Sequence, residues 1–131
     1  MASLLPPLAA GFGTGIAIAA EMRRAGMSRD RGALAVLLVA IASYYAVFAA
    51  AEGDWLAMAL HLLPFGLFLL LALFGYRRGA GLIALGIVAH GVLDHALDHA
   101  APGPAWWPAC RAALDVTVGT WLLLHLRGSA P

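Results

Sequence analysis

Apolar positions in this chain come in long unbroken runs, and short polar stretches separate them. Five runs stand out, at 3–22, 33–51, 55–76, 80–98 and 109–126. Each is close to the roughly 20 residues that an α-helix needs to cross a bilayer core of about 30 Å. No run alternates with period two, and five such runs cannot supply a closed barrel. The pattern therefore predicts an all-α fold, an integral membrane bundle of about five transmembrane helices in a single domain over residues 1–131. Pro6 and Pro7 in the first run, and Arg111 and Asp115 in the last, make those two the least regular members.

The polar stretches differ in one residue type. RRAGMSRDRG carries Arg23, Arg24, Arg29 and Arg31, RRG carries Arg77 and Arg78, and the tail carries Arg127, whereas EGD and HAAPGPAWWP carry none. Arginine accumulates in cytoplasmic loops, so the alternation predicts the N-terminus outside and the C-terminus inside. Trp55, Trp106 and Trp107 then fall at the outer boundary, where indole rings prefer to lie. The first run lacks the basic start of a signal peptide, and its arginines follow it. It is expected to be a retained helix of a multi-pass protein of the bacterial inner (cytoplasmic) membrane.

Composition supports lipid as the solvent. Hydrophobic residues make up 63% and charged residues 11%, with a mean hydropathy of +0.86, against about half and a quarter in soluble domains. The eight basic residues are all arginine and the net charge is +1, which leaves no footprint for nucleic acid. Cys110 is the only cysteine, so no internal disulfide forms.

Against this background the stretch HGVLDHALDH at 90–99 is unusually polar. In the predicted orientation the fourth helix runs outward, placing His90 about 12 Å and Asp94 about 6 Å below its outer end. The third and fifth helices run inward, placing His61 about 9 Å and Asp115 about 10 Å down. Residues four apart share a helix face, so His90, Asp94 and Asp98 form one stripe, His95 and His99 another, and Arg111 can pair with Asp115. Ionisable groups in a membrane face a bundle interior or a wet cavity. The simplest packing turns the His90–Asp94 stripe toward His61 and Asp115. Pro64 is expected to kink the third helix near His61, and one of Tyr44 and Tyr45 needs a hydroxyl partner inside the bundle. Gly11 and Gly15 form a small-xxx-small face, a candidate surface for a homo-oligomer or a larger membrane complex.

Imidazole and carboxylate four apart on a helix suit a divalent metal, zinc or iron foremost. His61, His90 and Asp94 are the candidate ligands, with Asp115 a fourth ligand or a partner that orients one of them. The alternative for His90 and Asp94 is a buried hydrogen-bonded pair that packs two helices. His95, Asp98 and His99 lie near the outer water interface, where solvation is the simpler explanation and the favoured one for His95.

The segments RDRGALAVLLVAIASYYAVFA, AHGVLDHALDH and PAWWPACRAALDVT resemble a family of small bacterial multi-span membrane proteins, over most of the chain from Arg29 to Thr117. The signatures are H-G-x-x-D with a nearby histidine and W-W-P-x-C-x-x-x-x-D, matched by His90, Gly91, Asp94, His99, Trp106, Trp107, Pro108, Cys110 and Asp115. The resemblance implies no activity. It does add His99 to the candidate metal ligands and draws attention to Cys110. A looser similarity links the cluster to membrane hydrolases that hold zinc with histidines and aspartates from several helices, as an analogy only.

Three function classes follow. One is a metal-dependent hydrolase acting on a lipid or other amphiphile, with Asp94 or Asp115 orienting the attacking water or taking its proton. Another is a non-enzymatic subunit of a membrane complex that binds a metal, or haem between His61 and His90. The third, a channel element, is disfavoured because the inner halves of helices three to five are almost wholly apolar.

Overall fold

A computed structural model describes residues 3–97 and 101–128. They form five helices: α1 Leu5–Arg24, α2 Arg31–Ala51, α3 Trp55–Arg78, α4 Ala80–Ala96 and α5 Trp107–Arg127. No strand occurs among the described residues. Every helix end lies within two residues of the end of its apolar run. α1, α2 and α3 are long and apolar enough to cross a membrane. α4 is apolar but has 17 residues, and α5 has 21 residues that include Arg111 and Asp115.

Short polar residues set the starts. The Asp30 carboxylate accepts from the Gly32 and Ala33 amides at 2.8 and 3.1 Å, capping α2. Asp54 does the same for α3 through the Ala57 amide at 2.9 Å. Such caps satisfy amide donors that have no partner within the helix. Gly26 supplies the left-handed φ of 72° that turns the chain out of α1 into a short 3-10 turn, Met27–Arg29. α3 runs through Pro64 as one continuous helix.

α4 packs against α5, α3 and α2, and α1 lies on the far side of α5. Leu34, Leu38 and Ile41 of α2, Ile83 and Ile87 of α4, and Val118 and Leu122 of α5 form the apolar core. Followed toward the opposite end of the bundle, each of these three buried stripes turns polar. α2 reaches Tyr45, α4 reaches His90 and Asp94, and α5 reaches Asp115 and Arg111.

Glycines set the closest helix crossings. A Cβ on Gly91 would stand 3.0 Å from the Ala112 carbonyl oxygen and from Asp115 Cβ, and one on Gly119 would stand 2.6 Å from a Val88 methyl. The Gly11/Gly15 face does pack closely, but on α5 of its own chain. A Cβ on Gly11 would collide with the Cys110 carbonyl, and one on Gly15 would lie 2.9 Å from Thr117 Cβ. The Gly11/Gly15 face on which an oligomer was expected to form is thus occupied by α5.

The outer surface is inverted relative to a water-soluble bundle. α3 buries only Ala72 and Gly75, and exposes Leu56, Leu63 and Leu67 by about 70% each. Apolar exposure on this scale marks a surface that lipid or protein covers.

Candidate metal centre

The polar end of the core is built on the α4/α5 crossing. Gly91 has no side chain to hold α5 away, so Asp115 comes directly against α4 beside His90. One turn separates His90 from Asp94, and one turn separates Arg111 from Asp115, so each pair shares a face. The two faces meet. His90 Nδ1 lies 3.0 Å from Asp115 Oδ2 and 3.5 Å from Asp94 Oδ2, while Arg111 Nη2 donates to Asp115 Oδ1 at 2.8 Å. All four residues are buried, with Asp94 1% and Asp115 0% exposed.

Aromatic rings enclose the group. The Phe68 ring of α3 meets the His90 imidazole edge-on, with centroids 5.0 Å apart. The Arg111 guanidinium carbon lies 5.2 Å from the Tyr44 ring centre and 5.7 Å from that of Trp107, in cation–π range. Tyr44 and Phe48 hold Trp107 edge-on in turn. Further out, Glu52 accepts from the Gly103 amide at 3.0 Å, tying the α2–α3 loop to the loop before α5.

The partners are unevenly shared. Both Asp115 oxygens are used, one by His90 and one by Arg111. Asp94 is held less well: neither of its oxygens forms a hydrogen bond of good geometry, and its neighbours are His90 Nδ1 at 3.5 Å and the buried Tyr45 hydroxyl that faces it. Two carboxylates against one guanidinium leave one negative charge in excess while the imidazole is neutral. A proton on His90 or on one of the carboxylates brings the group to neutrality, and a divalent cation would reverse the excess to one positive charge.

His90, Asp94 and Asp115 each offer a ligand atom, all within 4.8 Å of one another. Bonds of about 2.1 Å to a common ion separate neighbouring ligand atoms by about 3.0–3.4 Å. The two His90–carboxylate separations, 3.0 and 3.5 Å, match that spacing, and the two carboxylates lie within 4.8 Å of each other. A cavity of about 20 Å³ adjoins the group, bordered by Tyr45, His61, Pro64, Phe68 and His90. That is room for about one water molecule or one bare ion.

No protein-family model, curated protein or solved structure matches the chain.

The sequence-predicted residues are distributed as follows. His90, Asp94 and Asp115 come together, and Arg111 pairs with Asp115 as its spacing predicts. His61 borders the same cavity, its ring 5.6 Å from that of Tyr45, but it is not a member of the three-residue group. His95 is exposed at the end of α4. Asp98 and His99 lie outside the described residues. Cys110 is half-buried, and its backbone carbonyl, rather than its thiol, meets α1. The space that His61 and His90 both border is about 20 Å³. Two contributors escaped sequence reasoning. Tyr45 carried only the general need for a hydroxyl partner, and Trp107 read as an interface anchor rather than as part of an arginine cage.

Proposed function

We propose that this chain is a five-span membrane protein, N-terminus outside, that holds a divalent cation between His90, Asp94 and Asp115 in the outer leaflet. Zinc and iron(II) are the cations of choice for one imidazole and two carboxylates. The observation that carries this reading is Asp94: a carboxylate 1% exposed, without a hydrogen bond to either oxygen, beside an imidazole nitrogen that a second carboxylate shares. A buried carboxylate whose hydrogen bonds are this poorly formed is costly, and a shared cation would offset that cost. With the ion in place His90 Nδ1 would give up its proton and bind through its lone pair, Asp115 Oδ2 would bind the ion in place of its contact with the imidazole while Arg111 keeps hold of Oδ1, and Asp94 would supply the second carboxylate.

The use of the ion follows from the space around it. A cavity for one small species supports a binding or assembly role within the bacterial inner membrane ahead of catalysis. The hydrolytic reading, with Asp94 and Asp115 handling the proton of an attacking water, draws its support from Pro64 and Phe65. These residues of the poorly buried helix α3 border the cavity, so a lipid would enter between α3 and α4.

Elemental analysis of the detergent-purified protein, reloaded with zinc or iron(II), tests the proposal. The wild type is expected to retain about one equivalent, and Asp94→Asn and His90→Ala to retain none while keeping their helical circular dichroism. A metal-free wild type, with Asp94→Asn melting at a higher temperature, would instead identify an ion pair with a surplus carboxylate. Turnover of lipid extracts by the loaded wild type but not by Asp94→Asn would move the reading from binder to hydrolase.

A further inference from the structure

At the opposite, arginine-rich end of the bundle a second site is formed by different residues. Helices α1 and α5 touch backbone to backbone at Gly11 and Gly15. Past Gly15, Ile18 and Met22 keep one side of α1 against the core. On the other side a groove of about 620 Å³ opens, with Ile16, Ala20, Thr117 and Trp121 along it and Arg23 and Arg24 at its rim. The groove follows α1 for about 12 Å, from Ile16 to Arg24 at 1.5 Å per residue. Its volume lies within the roughly 300–1,000 Å³ typical of small-ligand sites.

Its chemistry is that of an amphiphile with a negative head. The walls are apolar, and small residues on α1 leave the space open. The Arg23 guanidinium makes no hydrogen bond or ion pair with any described residue, and that of Arg24 makes one exposed contact with Glu21 at 3.1 Å. Trp121 is held by stacking on His125, with ring centres 5.0 Å apart, and indoles favour the headgroup level. A free guanidinium presents paired N–H donors that fit phosphate, and basic pockets between spanning helices take acidic headgroups.

We propose that this groove binds one anionic phospholipid, its phosphate on Arg23 and Arg24 and an acyl chain along Ile16, Ala20 and Trp121. The site shares no residue with the metal centre, so each proposal stands without the other. Native mass spectrometry of the full chain, exchanged from micelles containing either phosphatidylglycerol or phosphatidylcholine, tests it. The wild type is expected to retain one phosphatidylglycerol per chain in preference to phosphatidylcholine. Removing charge in R23Q and R23Q/R24Q weakens retention about fivefold per arginine. Ala20→Trp and Ile16→Trp, at exposed positions, fill the groove and abolish retention with both arginines in place. Inorganic phosphate does not compete, because it lacks the chain. Equal retention of the two lipids, or retention that survives both groove-filling variants, overturns the proposal in favour of diffuse charge attraction. A dimer that Ala20→Trp dissociates overturns it in favour of a second copy in the groove.

Discussion

Arg111 shows how a single residue decides whether the polar core holds. It sits within α5, beside a carboxylate that is 0% exposed, and two aromatic faces replace the water its guanidinium would otherwise keep. A surface ion pair is worth at most about 1 kcal/mol, because water takes over when one partner leaves. Water cannot do so here. Arg111→Met therefore leaves Asp115 buried and unbalanced, which typically costs about 3–5 kcal/mol. Unfolding of the purified protein in mixed SDS micelles measures the loss. A change below 1 kcal/mol would mean that water or a second cation already reaches Asp115. In the proposed centre the same substitution also frees Asp115 to turn away from His90, so metal retention falls together with stability.

At the scale of helices, the glycines separate what the site needs from what the bundle needs. Gly91 lies against Asp115 and Gly11 against the Cys110 carbonyl, and both crossings are too close for a larger residue. Overpacking of this kind costs about 1–3 kcal/mol, yet the consequences differ. Gly91→Val pushes α5 away from α4 and parts His90 from Asp115, so metal is lost. Gly11→Leu loosens α1, which contributes no residue to the centre, so metal stays while α1 becomes easier to cleave by protease. Equal metal loss in both variants would show that the five helices behave as one cooperative unit. The contrast also marks what the sequence made legible. Run length placed every helix end to within two residues, and the comparable depth expected of His61, His90, Asp94 and Asp115 holds as a meeting for the last three. Rotation was harder to read. A helix apolar all round has no facing signal, so nothing in α3 told whether His61 would enter the group or only border its cavity. Tyr45 opposite Asp94, and α5 as the partner of the Gly11/Gly15 face, depend on helix pairings that a single-chain pattern does not encode.

The whole molecule is strongly asymmetric in charge. Arg23, Arg24, Arg29, Arg31, Arg77, Arg78 and Arg127 gather at one end with Glu21 and Asp30, while the loops at the other end carry Glu52 and Asp54 and no arginine among described residues. Arg111 is the apparent exception, but it is buried and neutralised by Asp115. It contributes little to the loop charge that sets orientation. The arginine-rich end is also locked: Arg31 reaches the Tyr76 and Arg77 carbonyls at 3.5 Å, and Ser28 hydrogen-bonds His125 at 3.2 Å. In the proposed orientation, with that end in the cytoplasm, the candidate metal centre would lie in the outer leaflet. The orientation is tested in a Cys110→Ala background with Pro104→Cys in the loop before α5 and Gly79→Cys in the loop before α4, where a Cβ meets nothing within 4 Å. A membrane-impermeant maleimide on intact cells is expected to label position 104 and to reach position 79 only after lysis. The reverse pattern inverts the protein. Labelling of both from outside means that α4, at 17 residues, does not cross. That outcome would move the carboxylates out of hydrocarbon and remove the burial cost on which the case for a bound cation rests.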